Sequence, residues 1–219
     1  MGASQSAGCI RDVDRQEVMM RELWDAAQVG CVRGVAKALS RLSCPSYVAA
    51  QYIVPPALKV AVWNDHAAIL PMLWARSRTG SPFHEVGCKS TLMHMAARFG
   101  AVQCIQTLAQ AGVSADVHTG YCERTPLASA AERGLTDAVA QLVQCKANVN
   151  LTRHGLPPAL HVAADVPTAT LLLHLKANVD SRDWRGRSPL DLAVHHQWPT
   201  VKLLLDAKGS YGVPLGSNA

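Results

Sequence analysis

Nine histidines and seven cysteines are the side chains in this 219-residue sequence best suited to chemistry, and their spacing decides what chemistry is open to them. A protein zinc site needs ligands at recurrent separations, and neither HExxH nor a Cys/His ligand pattern occurs, so no metal and no cofactor is expected. His195 and His196 are adjacent, and successive side chains on a helix diverge, so the pair is expected to point in different directions rather than share a metal. The cysteines stand at 9, 31, 44, 88, 104, 122 and 145. They are odd in number, include no CxxC pair and follow no apolar signal peptide, which points to reduced thiols in the cytosol. Cys31, Cys104 and Cys145 lie in helical stretches, where a buried, inert thiol is expected, whereas Cys122 beside Tyr121 is expected to be exposed. No GxSxG, P-loop or dinucleotide fingerprint is present, and enzyme activity is not expected.

Two further residues carry a chemical expectation of another kind. The opening Met1-Gly2-Ala3-Ser4-Gln5-Ser6 matches the N-myristoylation pattern, glycine after the initiator methionine with serine four positions later. Gly2 is therefore the expected lipidation site, with Cys9 as a second acyl site. One myristoyl chain binds membranes only marginally, and the charges between Arg11 and Glu22 are mixed in sign and form no basic patch. Stable anchoring would need palmitate on Cys9 or a bound partner.

Apolar residues make up 49% of the chain and charged residues 17%, enough apolar surface to offset the entropy of ordering. Aromatics are only 5% while Ala and Leu abound, which favours closely packed helices over strands. The net charge of +5 is mildly basic, and no Lys/Arg run gathers it into the patch that phosphate binding requires, so nucleic acid is not an expected partner. The most apolar stretch, 47–63, carries Gln51, Lys59 and Pro55-Pro56, poor features in a spanning helix.

Self-comparison supplies the architecture. A small pair, usually Ala-Ala, recurs after a lead Leu or Met at positions 23, 58, 93, 127, 160 and 190, so six units follow one another at 35, 35, 34, 33 and 30 residues. Thr125 and Ser188 can cap a helix through their hydroxyls, with Pro126 and Pro189 in the first turn, where no amide hydrogen is needed. The small pair at the helix centre admits a second helix, and Gly30, Gly100 and Gly134 stop the first one three residues later. Second helices follow with apolar faces, as in Leu171-Leu172-Leu173-Leu175 and Val201-Leu203-Leu204-Leu205. One such pair cannot bury its own face; a stack can.

These units resemble the ankyrin repeat, with its T-P-L-H-x-A signature and period near 33. Thr125-Pro126-Leu127, Ser188-Pro189-Leu190 and Leu160-His161-Val162-Ala163-Ala164 carry the resemblance, which is sharper in the four C-terminal units than in the first two. The fold it implies is an all-α solenoid of about six helix-turn-helix units with β-finger connections, the first two units degenerate. It would span 15–210, after a flexible arm at 1–14 and before a tail at 211–219, and Asp14 and Glu17 would cap the first helix. The resemblance assigns His94 and His161 to the family's structural histidine, which bonds neighbouring backbone. Four departures stand out: Lys146 and Lys176 occupy the family's left-handed glycine position, and Asp65 and Gln197 replace the mid-unit glycine. The unit led by Leu160 lacks about three residues near Val166-Pro167, which should shorten its inter-helix turn, and 75–90 and 120–124 read as enlarged fingers.

What remains is a surface. By position, the family's contact residues are Arg98, Phe99, Glu132, Arg133, Asp165, His195 and His196 after the small pairs, and Arg153, His154, Trp184, Arg185 and Arg187 on the fingers. Trp24, Trp63, Trp74 and Trp198 lie within helical units, where core or cap packing is expected. The expected function is a non-enzymatic protein-binding adaptor or scaffold, cytoplasmic and tethered to a membrane by its N-terminus, acting as a monomer or as a subunit of a larger complex. The alternative is a soluble inhibitor or regulatory subunit of an enzyme or transcription factor. Only ten residues follow Gly209, too few for the appended helical box of ubiquitin-ligase adaptors, so an adaptor role would use the repeats themselves.

Overall fold

A computed structural model of the chain describes residues 18–41, 54–75, 91–117, 124–151 and 157–210. The expected lipidation sites Gly2 and Cys9, the caps Asp14 and Glu17, the finger residues Arg153 and His154, Cys122 and the tail 211–219 lie outside the described residues. Among the described residues twelve helices pair into six units. They are α1 (18–29) with α2 (Val32–Arg41), α3 (Val54–Trp63) with a 3-10 turn (Ala67–Ile69) and α4 (Leu70–Trp74), and α5 (Leu92–Phe99) with α6 (Val102–Gln110). Then come α7 (Pro126–Glu132) with α8 (Thr136–Gln144), α9 (Ala159–Val162) with α10 (Val166–His174), and α11 (Pro189–His195) with α12 (Val201–Ser210). First helices pack on first helices, α3 on α5, α7, α9 and α11 in succession, and α6, α8, α10 and α12 form the outer layer.

The small pairs make this layering possible. Ala96, Ala97, Ala130 and Ala131 are fully buried, as are the lead residues Leu23, Leu58 and Met93. Replacing bulk with methyl groups at the helix centre lets the outer helix approach closely, and one continuous apolar core runs from Leu23 to Leu204.

Five of the six units turn by the same backbone device, the fifth being the exception. Ala101 N donates to Ala96 O at 2.9 Å, Leu135 N to Ala130 O at 3.1 Å, His66 N to Ala61 O at 2.8 Å and Trp198 N to Ala193 O at 2.8 Å. This six-to-one bond closes a Schellman turn and requires a left-handed residue inside it. Gly30, Gly100 and Gly134 supply it at φ 73°, 73° and 69°, and Asp65 and Gln197 supply it at 55° despite their side chains. The outer helices end in the same way, with Ala147 N on Leu142 O and Ala177 N on Leu172 O, around Lys146 and Lys176 at φ 69° and 63°. All four non-glycine residues therefore hold the conformation the repeat register expects of them.

Two expectations change. Among the described residues no strand forms, and Thr91 alone makes an isolated bridge. The finger before α11 is a tight turn, closed by Gly186 N on Asp183 O and Asp183 N on Arg187 O, both 2.9 Å, so it needs no ladder. In the fifth unit the missing residues come out of the helix as well as the turn. α9 has four residues, and Ala163 is already extended at φ −75°, ψ 92°. A chain three residues short cannot complete that turn, reverse, and still start α10 in register. The second unit is irregular in its outer layer, where Pro71 opens a five-residue α4 behind the 3-10 turn.

Candidate functional site

Two surfaces carry the sequence-predicted residues: the row formed by the C-terminal ends of the first helices, and the finger before α11. The row is continuous because neighbouring turns touch. A Cβ built on Gly30 falls 2.6 Å from His66 Nδ1, one on Gly100 falls 3.3 Å from Leu135 Cδ2, and one on Gly134 falls 3.0 Å from Asp165 Oδ1. His66 Nε2 also donates to Gln28 O at 3.0 Å, tying unit two to unit one.

Along this row Arg98 and Arg133 are exposed, and neither forms an ion pair with a described residue. Phe99 is 37% exposed. Glu132 pairs with Arg124, so its charge is satisfied within the fold. Asp165 caps α10, its carboxylate accepting from Thr168 N at 2.9 Å, and is a structural residue rather than a free contact. His195 and His196 are exposed, but they do not diverge as expected. Their rings meet edge to face with centroids 4.7 Å apart, because His196 is held in a stack on Trp198 at 5.3 Å. Among the described residues no group of three or more His, Cys, Asp or Glu could hold a metal.

The row also contains a residue the sequence reading placed wrongly. Trp63, expected in the core or a cap, is 67% exposed and stacks on Phe99 with ring centroids 5.6 Å apart and planes at 19°. It follows the small pair Ala61-Val62 directly, the same position that selects Arg98 after Ala96-Ala97, so the repeat register was the signal that could have found it. Trp24 is also exposed, while Trp74 and Trp198 are half-buried against the core as expected.

On the finger, Trp184 is 64% exposed, and the Arg185 guanidinium lies 4.3 Å over its ring. Arg187 plays a different part. Its Nε donates to Asp183 Oδ2 at 2.9 Å, and the Asp183 carboxylate, itself buried, accepts the Arg185 and Arg187 amides at 2.8 and 2.9 Å. Burial alone would raise the Asp183 carboxyl, but the amides and guanidinium outweigh it and hold it below the usual carboxylate range. Arg187 therefore builds the finger whose tip Trp184 and Arg185 form.

The structural histidines fasten these fingers. His94 Nε2 donates to Arg124 O at 3.1 Å, and Thr91 Oγ1 lies 2.9 Å from His94 Nδ1. His161 Nε2 donates to Arg187 O at 3.0 Å, but Pro158 stands where a hydroxyl would sit, and the buried Nδ1 has no partner. Burial depresses the His161 ring below its ordinary value of 6.5. The bond to the Arg187 carbonyl places a ring proton on Nε2.

The thiols follow burial. Cys104 is buried and its thiol is pushed up, first by burial and then by Asp65, which makes it inert. Cys31 departs from expectation: it precedes α2, is exposed, and accepts from Gly34 N at 3.3 Å. No helix among the described residues is long and apolar enough to cross a membrane.

Comparison with known proteins agrees with this geometry. Residues 58–153 match the family model for ankyrin repeats, in three copies. The chain is similar to the zebrafish (Danio rerio) ankyrin repeat and SOCS box protein 11, 33% identical over 133 residues, covering 59% of this chain and 44% of that protein. It is also similar to mouse (Mus musculus) ankyrin repeat and SOCS box protein 9, 31% identical over 120 residues, covering 53% and 40%. The match thus spans less than half the length of these relatives. In fold, it resembles the ankyrin repeat domain of Bcl-3, a member of the IkappaB protein family, with a TM-score of 0.67, 19% identity and 85% of each chain covered. Residues 58–153 are thus ankyrin repeats, and the described residues as a whole share the fold of an ankyrin-repeat stack. These repeats form a protein–protein interaction module, in a fold that generally serves interaction rather than catalysis.

Proposed function

We propose that this domain is a non-enzymatic adaptor that holds a protein partner on the row of first-helix ends and on the tip of the finger before α11. The observation that carries this reading is the placement of exposed aromatic and arginine side chains, Trp63, Phe99, Arg98, Arg133, Trp184 and Arg185, on a rigid stack. Trp and Arg are the residue types that concentrate binding energy, and residues anchored on packed helices lose little entropy when a partner arrives. Replacing Trp184 with Ala together with Arg185→Glu should weaken capture of a partner and leave the melting temperature nearly unchanged, since both lie outside the packed core. A sharp fall in melting temperature would instead make Trp184 structural.

The adaptor reading includes a cytoplasmic, membrane-peripheral location through myristate on Gly2, supported by the Gly2 to Ser6 spacing. Gly2→Ala should move the protein from membrane to soluble fractions, and Cys9→Ser should do so to a smaller extent. An unchanged distribution, with no myristoyl adduct in the mass of the N-terminal peptide, would favour the second reading, a soluble inhibitory or regulatory subunit. The fold shared with an IkappaB-family ankyrin domain is compatible with that second role.

A further inference from the structure

We propose that the row of first-helix ends in units one to four docks an acidic peptide segment bearing one large apolar side chain. The inference rests on the protein-binding reading above and specifies the partner's chemistry. Trp63 and Phe99 come from successive units and are stacked face to face while exposed to solvent. Stacking fixes both rings in one orientation, so an incoming apolar side chain meets a prearranged surface and does not have to order it. Val29, 75% exposed at the end of α1, extends the apolar strip by one unit.

The charge around this strip selects the occupant. Three carboxylates near the aromatic pair and beyond it are engaged within the fold, whereas Asp25, one turn before Val29, is exposed at the far end of the strip. Asp65 accepts from Gln103 N at 3.1 Å and Cys104 N at 2.8 Å, Glu132 pairs with Arg124, and Asp165 accepts from Thr168 N. Arg98 and Arg133 remain outward without an ion-pair partner among the described residues. Arg98 directly precedes Phe99, and Arg133 takes the place of Phe99 on the next unit, whose turn touches Gly100. The aromatic pair is therefore flanked by unpaired positive charge on the side of unit four, which complements Asp and Glu beside an apolar anchor. Two arginines are too few to support the counterion release that dominates nucleic-acid binding.

A random-peptide phage library selected against the full chain tests this. Enriched peptides should carry Asp or Glu next to Leu, Phe or Trp. Synthetic copies should lose about tenfold or more in affinity on Trp63→Ala. The double change Arg98→Glu with Arg133→Glu, at exposed positions that leave folding intact, should weaken the same peptides, and raising the salt should reduce that effect. Enrichment of peptides without acidic residues, equal binding to Trp63→Ala, or no enrichment at all would overturn the assignment. Peptides that keep their affinity for Trp63→Ala but lose it when Trp184 and Arg185 are replaced would overturn it while leaving the protein-binding reading standing. A chain that enriches no peptide and retains no partner through either surface would overturn both. Tighter binding of duplex DNA or of anionic vesicles than of any selected peptide would assign the row to a different partner.

Discussion

Among the described residues four with side chains occupy the left-handed region, and they should respond to glycine in opposite ways. Lys146, Lys176 and Gln197 sit at φ 69°, 63° and 55°, where a Cβ crowds the following carbonyl at a cost of roughly 1–2 kcal/mol. Glycine removes that cost but gains freedom in the unfolded chain, which returns roughly 0.5–1 kcal/mol. Lys146→Gly, Lys176→Gly and Gln197→Gly should thus each stabilise by about 0.5–1 kcal/mol, or a few degrees in melting temperature for a domain of this size. Asp65, at φ 55°, differs because its carboxylate caps the next unit's outer helix through Gln103 N and Cys104 N. Losing such a cap costs about 0.5–2 kcal/mol, and bonds to a charged acceptor sit at the upper end of the usual range. Asp65→Gly should therefore come out destabilising by about 1 kcal/mol, and Asp65→Asn, which keeps one acceptor, should fall between. Urea unfolding of the purified chain, with midpoint and slope both fitted, reads the sign at each site. If all four substitutions moved the midpoint the same way, either the Schellman register or the cap across units would be wrong.

Gly30→Ala should destabilise by roughly 2 kcal/mol or more, because its φ of 73° strains any side chain and the new methyl would meet the His66 ring at 2.6 Å; thermal unfolding monitored by circular dichroism checks it. Arg187→Ala should lower stability by about 1–3 kcal/mol, since it strips the buried Asp183 carboxylate of its guanidinium, whereas Arg185→Ala at the exposed tip should change the midpoint very little; a matched pair of denaturant curves separates the two. His161 is depressed below 6.5 in the fold, so the unfolded chain binds the proton more readily there. Its contribution to stability is intact above pH 6.5 and is lost as the pH falls from there through the depressed folded value. His161→Gln should flatten the fall in melting temperature between pH 7 and pH 5, and an unchanged slope would place the titration elsewhere.

The local rules of the repeat were legible in the sequence because each is enforced within a few residues. A hydroxyl before Pro126 and Pro189 predicts a capped helix start, and Thr125 Oγ1 and Ser188 Oγ do accept the amides of Ala128 and Asp191. The small pairs predict the close layering, and the position of Lys146 in the register predicts its left-handed backbone. Exposure and pairing obey no such local rule. Trp63 reads as core by residue type, yet it ends its helix on the outer side of the small pair and only the neighbouring unit supplies Phe99 to stack on it. Arg185 and Arg187 look alike in sequence; the buried Asp183 carboxylate draws one inward and leaves the other over Trp184. Asp65, Glu132 and Asp165 likewise appear as surface charges, and the fold commits each to an amide or a guanidinium: Asp165 locally at the start of its own helix, Glu132 to nearby Arg124, and Asp65 to amides nearly forty residues away in the next unit. The helices follow from short-range sterics and hydrogen bonding. Which charges and rings remain free for a partner depends on what the adjacent unit places opposite them, and that is fixed only when the units stack.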